Sequence, residues 1–422
     1  MRSAIILAFS CVLCASVFAA DESADKQWYK GVTHLHSLWS DGDMAPDMVA
    51  AWYKDHGYNF VCPSDHNVLL EGERYVSIVP DTKLSPERVD MIRERLGDDW
   101  VEVVEENGRP RMRLKTQAEL AERFNEDGEF LMMPAEEITS LSGSPHVNAV
   151  NIRERILGGV GEVTELLNEY LDAVHEQSAR TGVPMMAHVN HLNWSDGVTI
   201  EEMLAARRLK FFEVYNGHPY VRQWGSEKHG MPSNDRHWDV ILSLRMAAEE
   251  DFILYALATD DSHEYYEWGT DKVNPGRGWV MVNADALDAN SLIQAFHRGD
   301  FYASTGVTLD DVDRGEQAYT VEIAAAPETT YTTQFIGTRR GFDKESKPFK
   351  NEAGETPDKA SRVYSDDIGV VLHETTENTA VYEYAGDELY VRAMVVSSER
   401  QENPANEGDH KMAWTQPVRV AQ

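Results

Sequence analysis

Residues 130–138 read Phe130-Leu131-Met132-Met133-Pro134-Ala135-Glu136-Glu137-Ile138. The apolar run before Pro134 predicts a buried strand, because it is short and carries no charge. Two adjacent carboxylates follow within three residues of that run. The same arrangement, an apolar run followed by a cluster of histidine and acidic residues, recurs along the first 300 residues. The recurrence predicts both the fold class and the place of the chemistry.

Predicted strands and helices alternate up to about residue 300. The predicted helices cover residues 49–56, 115–124, 163–179, 201–206 and 291–297. The predicted buried strands cover residues 59–62, 130–133, 184–187, 211–214, 254–258 and 279–282. Such alternation implies an α/β fold with a parallel sheet, and this number of units favours a barrel over an open sheet. In these folds the functional side chains collect at the carboxyl ends of the strands.

The clusters that follow these runs supply imidazole and carboxylate groups. They are Thr33-His34-Leu35-His36 with Asp41-Gly42, Ser64-Asp65-His66-Asn67, Glu136-Glu137-Ile138 with Pro145-His146, Ala187-His188-Val189-Asn190-His191, and Asp260-Asp261-Ser262-His263. Imidazole and carboxylate bind Zn, Mn and Fe, and alternate residues of a strand point to the same side. One His-x-His is weak evidence, whereas five clusters in this order predict a multinuclear metal site. A site of that kind points to hydrolysis.

Composition narrows the substrate class. The 422 residues include 39 basic and 72 acidic side chains, a formal net charge of -33. Because affinity for nucleic acid depends on clustered Lys and Arg, this balance argues against a DNA or RNA polymer as partner. A local group of cations would still attract a small anion, so a small anionic substrate stays open.

The first twenty residues, MRSAIILAFSCVLCASVFAA, have the layout of a secretory signal. Arg2 precedes an apolar stretch that ends in small residues, with a cleavage site after Ala19. The stretch is shorter than the ~20 apolar residues of a spanning helix, so we expect no stable membrane insertion. The mature protein is predicted to be secreted or periplasmic, and an uncleaved anchor is the alternative. Cleavage leaves Cys62 as the only cysteine, which excludes an intramolecular disulfide.

Two segments depart from the alternating pattern. Residues 72–112 are acid-rich and interrupted by Gly and Pro, and we interpret them as an insertion, either a lid or a surface excursion. Beyond Gly306, alternation of apolar and polar residues predicts an antiparallel, sandwich-like all-β domain. The predicted division is a signal peptide over 1–19, a catalytic domain over 20–308 and the β-domain over 309–422. The β-domain is expected either to shape or cover the pocket or to form an oligomer contact.

The order of the clusters resembles that of the polymerase and histidinol phosphatase (PHP) superfamily. The order is His-x-His with a following Asp-Gly, then Asp-His-Asn, Glu-Ile, a later His, Ala-His and Asp-x-His. Residues 130–139, 146–151, 214–217, 301–307 and 413–417 resemble the CehA/McbA-type branch of metallohydrolases. The resemblance covers nearly all of the mature chain. It implies a distorted seven-stranded β/α barrel that holds two or three divalent metal ions, Zn, Mn or Fe.

The resemblance also implies which residues bind the metals. It assigns His34, His36, Glu137 and Asp261 to a first metal, Glu137, His146 and His188 to a second, and Asp41, His66 and His263 to a third. His191 is the alternative to His188, or else a proton donor. Glu136 is the alternative to Glu137 and Asp260 the alternative to Asp261, and both are otherwise candidates for orienting imidazoles.

Further candidates lie in loops. His191 and Asp260 are the candidate catalytic residues. Arg277 lies in a Gly-flanked loop and is a candidate for binding a phosphate or carboxylate oxygen, with an ordinary surface arginine as the alternative. Asn216 and His218 follow a strand and are candidates for lining the pocket, although a turn explains Asn216 equally well.

The sequence thus predicts an exported metal-dependent hydrolase that attacks an ester bond with a metal-bound hydroxide at a di- or trinuclear site. The superfamily that it resembles mostly cleaves phosphoesters, which favours a phosphoesterase. The first alternative, from the closer branch, is hydrolysis of a carboxylic or carbamate ester. The second is a metal-stabilised binding protein without catalysis. Because the sequence contains no Gly-rich phosphate loop or dense Arg cluster, the phosphate preference rests on the resemblance.

Overall fold

The computed structural model describes residues 26–194, 197–248 and 251–421, which form a mixed α/β structure. Its α-helices are α1 Pro46–Asp55, α2 Pro86–Leu96, α3 Gln117–Phe124, α4 Val163–Thr181, α5 Ile200–Leu204, α6 Asn234–Met246 and α7 Ala289–Arg298, with 3₁₀ turns at Asp98–Trp100 and Glu227–His229. The predicted signal peptide over residues 1–19 lies outside the described residues.

The strands are more numerous than the helices. They are β1 Gln27–Val32, β2 Phe60–Val61, β3 Tyr75–Ser77, β4 Val103–Glu106, β5 Arg109–Arg113, β6 Leu131–Met132, β7 Ala135–Thr139, β8 His146–Val150, β9 Met186–Val189, β10 Phe211–Asn216, β11 Tyr255–Thr259, β12 Trp279–Ala284, β13 Phe301–Ser304, β14 Leu309–Arg314, β15 Ala318–Ile323, β16 Tyr331–Arg339, β17 Ser346–Lys347, β18 Val363–Tyr364, β19 Val370–Thr375, β20 Thr379–Glu383, β21 Glu388–Arg400, β22 His410–Thr415 and β23 Val418–Arg419. Each of the six predicted strands is present, with neither end shifted by more than two residues.

Two sheets surround the clusters. One has the order β19-β16-β21-β22-β13-β12-β1-β2-β6, with β23 paired to β21, and the other has the order β11-β10-β9-β8-β7. Parallel pairing joins β1, β2 and β6 in the first and β9, β10 and β11 in the second. Two isolated bridges, Leu35 to Ser262 and His66 to Glu137, connect the sheets beyond the ends of β1 and β2.

The predicted barrel differs from this arrangement. Within the described residues the regular ladders form two sheets, and no single closed ladder runs round the site. The first sheet does not end at β1, because β1 pairs with β2 on one side and with β12, in an antiparallel ladder, on the other. That pairing extends the first sheet into the C-terminal strands.

Local sequence explains several helix ends. Pro46 begins α1, where its missing N–H costs nothing. Thr116 and Glu119 form a reciprocal capping box at the start of α3. The prediction missed α6, because the helix is buried on nearly every side and has no clear polar face.

The C-terminal residues continue the first sheet. β13 pairs with β22, and β21 lies between β22 and β16. A three-stranded sheet of β14, β15 and β20 covers them, with Tyr319 and Val321 packed among Phe335 and Val391. This part of the chain is therefore antiparallel and two-layered. Among the described residues, no helix combines the length and apolar character needed to cross a bilayer.

The segment 72–112 folds into α2 and a small sheet of the order β3-β5-β4. Ser85 caps α2 by accepting from the Arg88 N–H. The turn before this helix reaches the mouth of the main cleft, so the segment forms a wall of the site.

Candidate metal centre

The Nε2 atoms of His34 and His36 lie close to each other and to two carboxylate oxygens. His34 Nε2 and His36 Nε2 are 3.1 Å apart, and Asp261 Oδ1 is 3.1 Å from each of them. Glu137 Oε2 lies 3.5 Å from His34 Nε2 and 3.4 Å from His36 Nε2. All four side chains are buried. The set is the one that the resemblance assigned to a first metal.

These separations are typical of ligands around one small cation. Nitrogen and oxygen ligands about 2.1 Å from a metal lie about 3.0 Å apart at octahedral angles and about 3.4 Å apart at tetrahedral angles. Two carboxylates buried together also need compensating positive charge. The donor set therefore fits a divalent metal ion, and its imidazole and carboxylate chemistry suits Zn, Mn or Fe.

Glu137 connects this set to a second group of candidate ligands. Its Oε1 lies 2.9 Å from His146 Nδ1 and 3.2 Å from His191 Nε2, and its Oε2 lies 2.8 Å from His66 Nδ1. Glu137 belongs to β7 and His146 begins β8, so the antiparallel pair presents both toward the centre. One carboxylate is thus shared between neighbouring candidate positions.

Asp41 is the centre of a third group. Its Oδ1 lies 3.3 Å from His263 Nε2, 3.6 Å from His66 Nε2 and 3.8 Å from His36 Nδ1. The Asp41 side chain is 54% exposed, so this group lies on the solvent side of the cluster. His36 accompanies the three residues that the resemblance placed here.

Glu213 contacts the cluster on its buried side. The sequence analysis missed this role. Glu213 lies in β10, is fully buried, and accepts a 2.6 Å hydrogen bond from His34 Nδ1. The backbone N–H of His191, the Asn216 amide and the Thr259 hydroxyl also donate to it, at 2.7, 2.8 and 3.0 Å. A carboxylate on the far nitrogen of a metal-binding imidazole fixes its tautomer and its orientation. The acidic residue inside the apolar run 211–214 was the available indication, because a buried charge needs partners.

His188 lies apart from the candidate ligand groups. Its ring is buried below the cluster, and its Nδ1 is 3.7 Å from Glu213 Oε1, beyond hydrogen-bond distance. His191, two positions beyond the end of β9, instead reaches Glu137. Its φ of 24° turns the chain at that point. The structure therefore favours His191 over His188 as the partner of His146.

Asp260 and Glu136 point away from the imidazoles. Asp260 accepts from the Tyr53 hydroxyl and from the backbone N–H groups of residues 276–278, so it holds a loop. Glu136 accepts from the Ile156 N–H on the opposite face of β7 from Glu137. Burial raises the pKa of Glu136 to about 8. Neither residue takes the catalytic or imidazole-orienting role expected from sequence.

Arg277 is structural in this fold. It is 1% exposed, and its guanidinium donates to the carbonyl oxygens of Gly217, Gly269, Lys272 and Asn403. Its N–H groups are therefore directed into the protein. This differs from the prediction that Arg277 binds a phosphate or carboxylate oxygen of the substrate. The Gly-flanked loop is built around the arginine.

Asn216 and His218 lie at the site. Asn216 donates to Asp261 Oδ2 at 3.1 Å as well as to Glu213, and so holds both carboxylates in place. His218 lines the cleft, and its Nδ1 accepts from the Tyr220 N–H at 3.2 Å. The ring proton of neutral His218 therefore belongs on Nε2.

Charges within the cluster shift one another's pKa. Burial opposes ionisation of Glu137, but the neighbouring rings, His66 foremost, hold its pKa well below the ordinary value. Burial likewise opposes protonation of His34, yet the carboxylates of Asp261, Glu213 and Glu137 together outweigh it and raise the pKa of His34 well above 6.5. Burial lowers the pKa of His36 to about 3, which leaves its ring neutral and able to donate a lone pair.

A cleft of about 1260 Å³ opens over the cluster. Its lining combines candidate ligands with residues of the 72–112 segment and of two loops that follow β7 and β9. The lining includes Asp41, Lys83, Arg88, Leu141, Trp194 and His218. The cleft gives a small molecule direct access to all three groups of candidate ligands.

Comparisons with known proteins give limited information. No family model and no curated protein sequence matches the chain. Among solved structures, the chain is similar to a two-domain protein from Bacteroides vulgatus ATCC 8482 that contains a predicted PHP-like metal-dependent phosphoesterase. The match covers 93% of this chain and 96% of that chain, at 14% identity and a TM-score of 0.39. At that level of similarity the match assigns neither family nor activity to this chain.

Proposed function

We propose that this protein is a metal-dependent hydrolase of ester bonds, with phosphoesters as its substrate class. The observation that carries the proposal is that the buried Nε2 atoms of His34 and His36 lie 3.1 to 3.5 Å from each other and from carboxylate oxygens of both Glu137 and Asp261. The group around Asp41 and the group of His66, Glu137 and His146 supply positions for one or two more ions. The order of the ligand clusters, which resembles that of the PHP superfamily, supports the same proposal.

Divalent cations held at such a site would acidify water and make the phosphorus or carbonyl carbon of the ester more open to attack. The chain's own residues supply the rest. Glu213 and Asn216 hold His34 and Asp261 in position. His218 offers an Nε2 proton to an oxygen of the substrate, because its Nδ1 is occupied by the Tyr220 N–H.

Charge at the mouth of the cleft supports an anionic ester. Among the described residues that line it, Lys83 and Arg88 are the side chains with fixed positive charge. Both come from the 72–112 segment, and both donate to backbone carbonyls near the Asp41 group, Lys83 to Asp41 and Arg88 to Asp43. These two cations, which stand among carboxylates of the same lining, are available to attract a phosphomonoester.

Metal content and hydrolysis measured together test the proposal. The mature protein should contain two or three metal ions and turn over p-nitrophenyl phosphate or its bis-ester, and His36→Ala should lose metal and turnover. His373→Ala, at an exposed position in β19, is the matched control and should retain both. Turnover of p-nitrophenyl acetate alone would replace the phosphoester assignment with a carboxylic ester. Metal without turnover of any ester would indicate a binding protein instead.

We also propose that the mature protein is exported after cleavage behind Ala19. The charged, apolar and small-residue regions of residues 1–20 support this proposal. N-terminal sequencing of the protein recovered from the periplasm or the medium should begin at Ala20. Recovery of the uncut chain in the membrane fraction would support an anchor instead.

A further inference from the structure

The walls at the two ends of the cleft differ in chemistry. A chain of contacts crosses the cleft and shows which residues lie at its two ends. It begins at Lys83, which contacts Asp41, and Asp41 contacts His66. It continues from His66 through Glu137 to His146. At the far end, the Trp194 ring lies 5.5 Å from the His146 ring and 5.3 Å from the His191 ring, measured between centroids. The candidate centre therefore lies between a charged wall, which carries Lys83 and Arg88 among several carboxylates, and an aromatic wall.

Leu141 adds a second large apolar side chain to the cleft lining. It lines the same cleft and is 72% exposed, which is unusual for a large apolar side chain beside a polar centre. Its backbone N–H donates to Gly159 O at 2.9 Å, and the neighbouring Ser144 hydroxyl donates to Gly197 O at 3.3 Å. These bonds hold the Leu141 loop in place and connect it to the loop that carries Trp194.

We propose that the substrate is an ester with an anionic group and an apolar group on opposite sides of the scissile bond. This inference rests on the proposed function. The apolar group packs on Trp194 and Leu141, which gain by being covered from water. The anionic group lies over the metal ligands and toward Lys83, where it meets positive charge. The two walls thus select the substrate and fix its direction in the cleft.

Binding of two non-hydrolysable ligands tests the apolar wall without relying on turnover. Calorimetry on the metal-loaded protein should show hexylphosphonate binding about tenfold or more tighter than methylphosphonate, because the hexyl chain covers apolar surface. Trp194→Ala should remove most of that preference and leave methylphosphonate affinity within about twofold. Trp224→Ala, at an exposed position outside the cleft, is the control and should change neither affinity.

A second pair of variants tests each wall separately. Leu141→Ser changes an exposed side chain, so it should fold normally and weaken hexylphosphonate several-fold. Lys83→Gln should weaken both phosphonates about equally, whereas Lys350→Gln, in an exposed loop, should weaken neither. Metal content is measured for every variant, because Trp194 contacts two candidate ligand rings.

The outcomes separate this inference from the proposed function. Equal affinity of the two phosphonates for the wild-type protein, no binding of either, or an equal loss of both in Trp194→Ala with metal retained, would overturn the inference. A preserved hexyl preference with no ester turnover would contradict the proposed function and leave the subsite standing. Turnover of p-nitrophenyl phosphate with no hexyl preference would support the proposed function and overturn the inference of an apolar subsite.

Discussion

Glu213 is the residue on which the candidate centre depends most outside its ligands. Its carboxylate joins the segment after β1, through His34, to the segment after β9, through the His191 N–H. It also accepts from Asn216 on its own strand, which in turn donates to Asp261. One buried charge thus positions three side chains that approach the centre from different strands.

We expect Glu213→Gln to lower metal affinity about tenfold to a hundredfold, because the neutral amide holds the His34 ring less firmly in its metal-binding tautomer. Competition with a chromophoric chelator measures the effect. Asp260→Asn is the matched control, since that buried carboxylate contacts no imidazole ring in the structure. It should cost stability and leave metal affinity within about twofold. Equal metal affinity of Glu213→Gln and wild type would contradict the positioning role.

The second residue-scale prediction distinguishes His191 from His188. His191→Ala should reduce the metal bound per chain, because its Nε2 lies 3.2 Å from the shared Glu137 carboxylate. His188→Ala should retain the wild-type metal content, because the ring lies outside the candidate ligand groups. Elemental analysis of both purified variants after dialysis gives the answer. The opposite pattern would return the assignment to His188.

At the scale of the element, β7 shows how one strand serves two environments. Successive side chains of a strand point to opposite faces, so Glu137 faces the candidate centre and Glu136 faces the Ile156 backbone. The two adjacent glutamates therefore have opposite pKa shifts. Histidine rings lower the pKa of Glu137 against the effect of burial, whereas burial raises that of Glu136.

This contrast predicts a pH dependence for Glu136. Its pKa is about 8 in the folded protein against an ordinary value of 4.5, so the folded state binds more protons between those two pH values. Stability from this group is present below pH 4.5 and is lost as the pH rises through 8. Glu136→Gln should be close to wild type at pH 5 and exceed it by about 4 kcal/mol at pH 9.

Denaturant unfolding with a chelator present measures this difference, because bound metal would add its own pH dependence. Glu129→Gln, at an exposed position nearby, is the control and should show no pH-dependent gain. A constant difference between Glu136→Gln and wild type from pH 5 to pH 9 would show that Glu136 ionises normally.

At the scale of the whole molecule, the C-terminal strands are joined to the site-bearing part by more than a linker. β13 and β22 carry the first sheet across the predicted boundary near residue 308. Arg392 in β21 is 1% exposed and binds Asp239 of α6 through two 2.8 Å hydrogen bonds. The Gln416 side chain makes a pair of hydrogen bonds to the Ala256 backbone in β11. We therefore expect the two parts to unfold together.

Arg392→Met should lower the free energy of unfolding by about 3–5 kcal/mol, because Asp239 and Asp235 lose a buried positive partner. Arg95→Met, which breaks an exposed pair with Asp55, should cost less than about 1 kcal/mol. Calorimetry should show a single transition for wild type, with metal affinity unchanged in Arg392→Met. Two separate transitions would mean that the C-terminal strands fold independently.

The sequence by itself determined the local features of this protein. Short apolar runs predicted six strands near the positions where they are found, because burial on both faces leaves a pattern within a few residues. The ordered clusters named His34, His36, Glu137 and Asp261 as candidate ligands, and the structure brings their donor atoms together. Local chemistry and the order of motifs were sufficient for both predictions.

The tertiary structure decided what depends on distant segments. Strand β9 ends at Val189, so the alternation of side chains along a strand could not predict which way His191 points. The turn beyond the strand directs the His191 ring to Glu137. Arg277 is held by carbonyls from four separate positions, and Glu213 accepts hydrogen bonds from segments at the ends of four strands, β1, β9, β10 and β11. Such contacts join residues far apart in the chain, and the pairing of β1 with β12 is of the same kind. No local pattern encodes these contacts, because they form only when the sheets assemble.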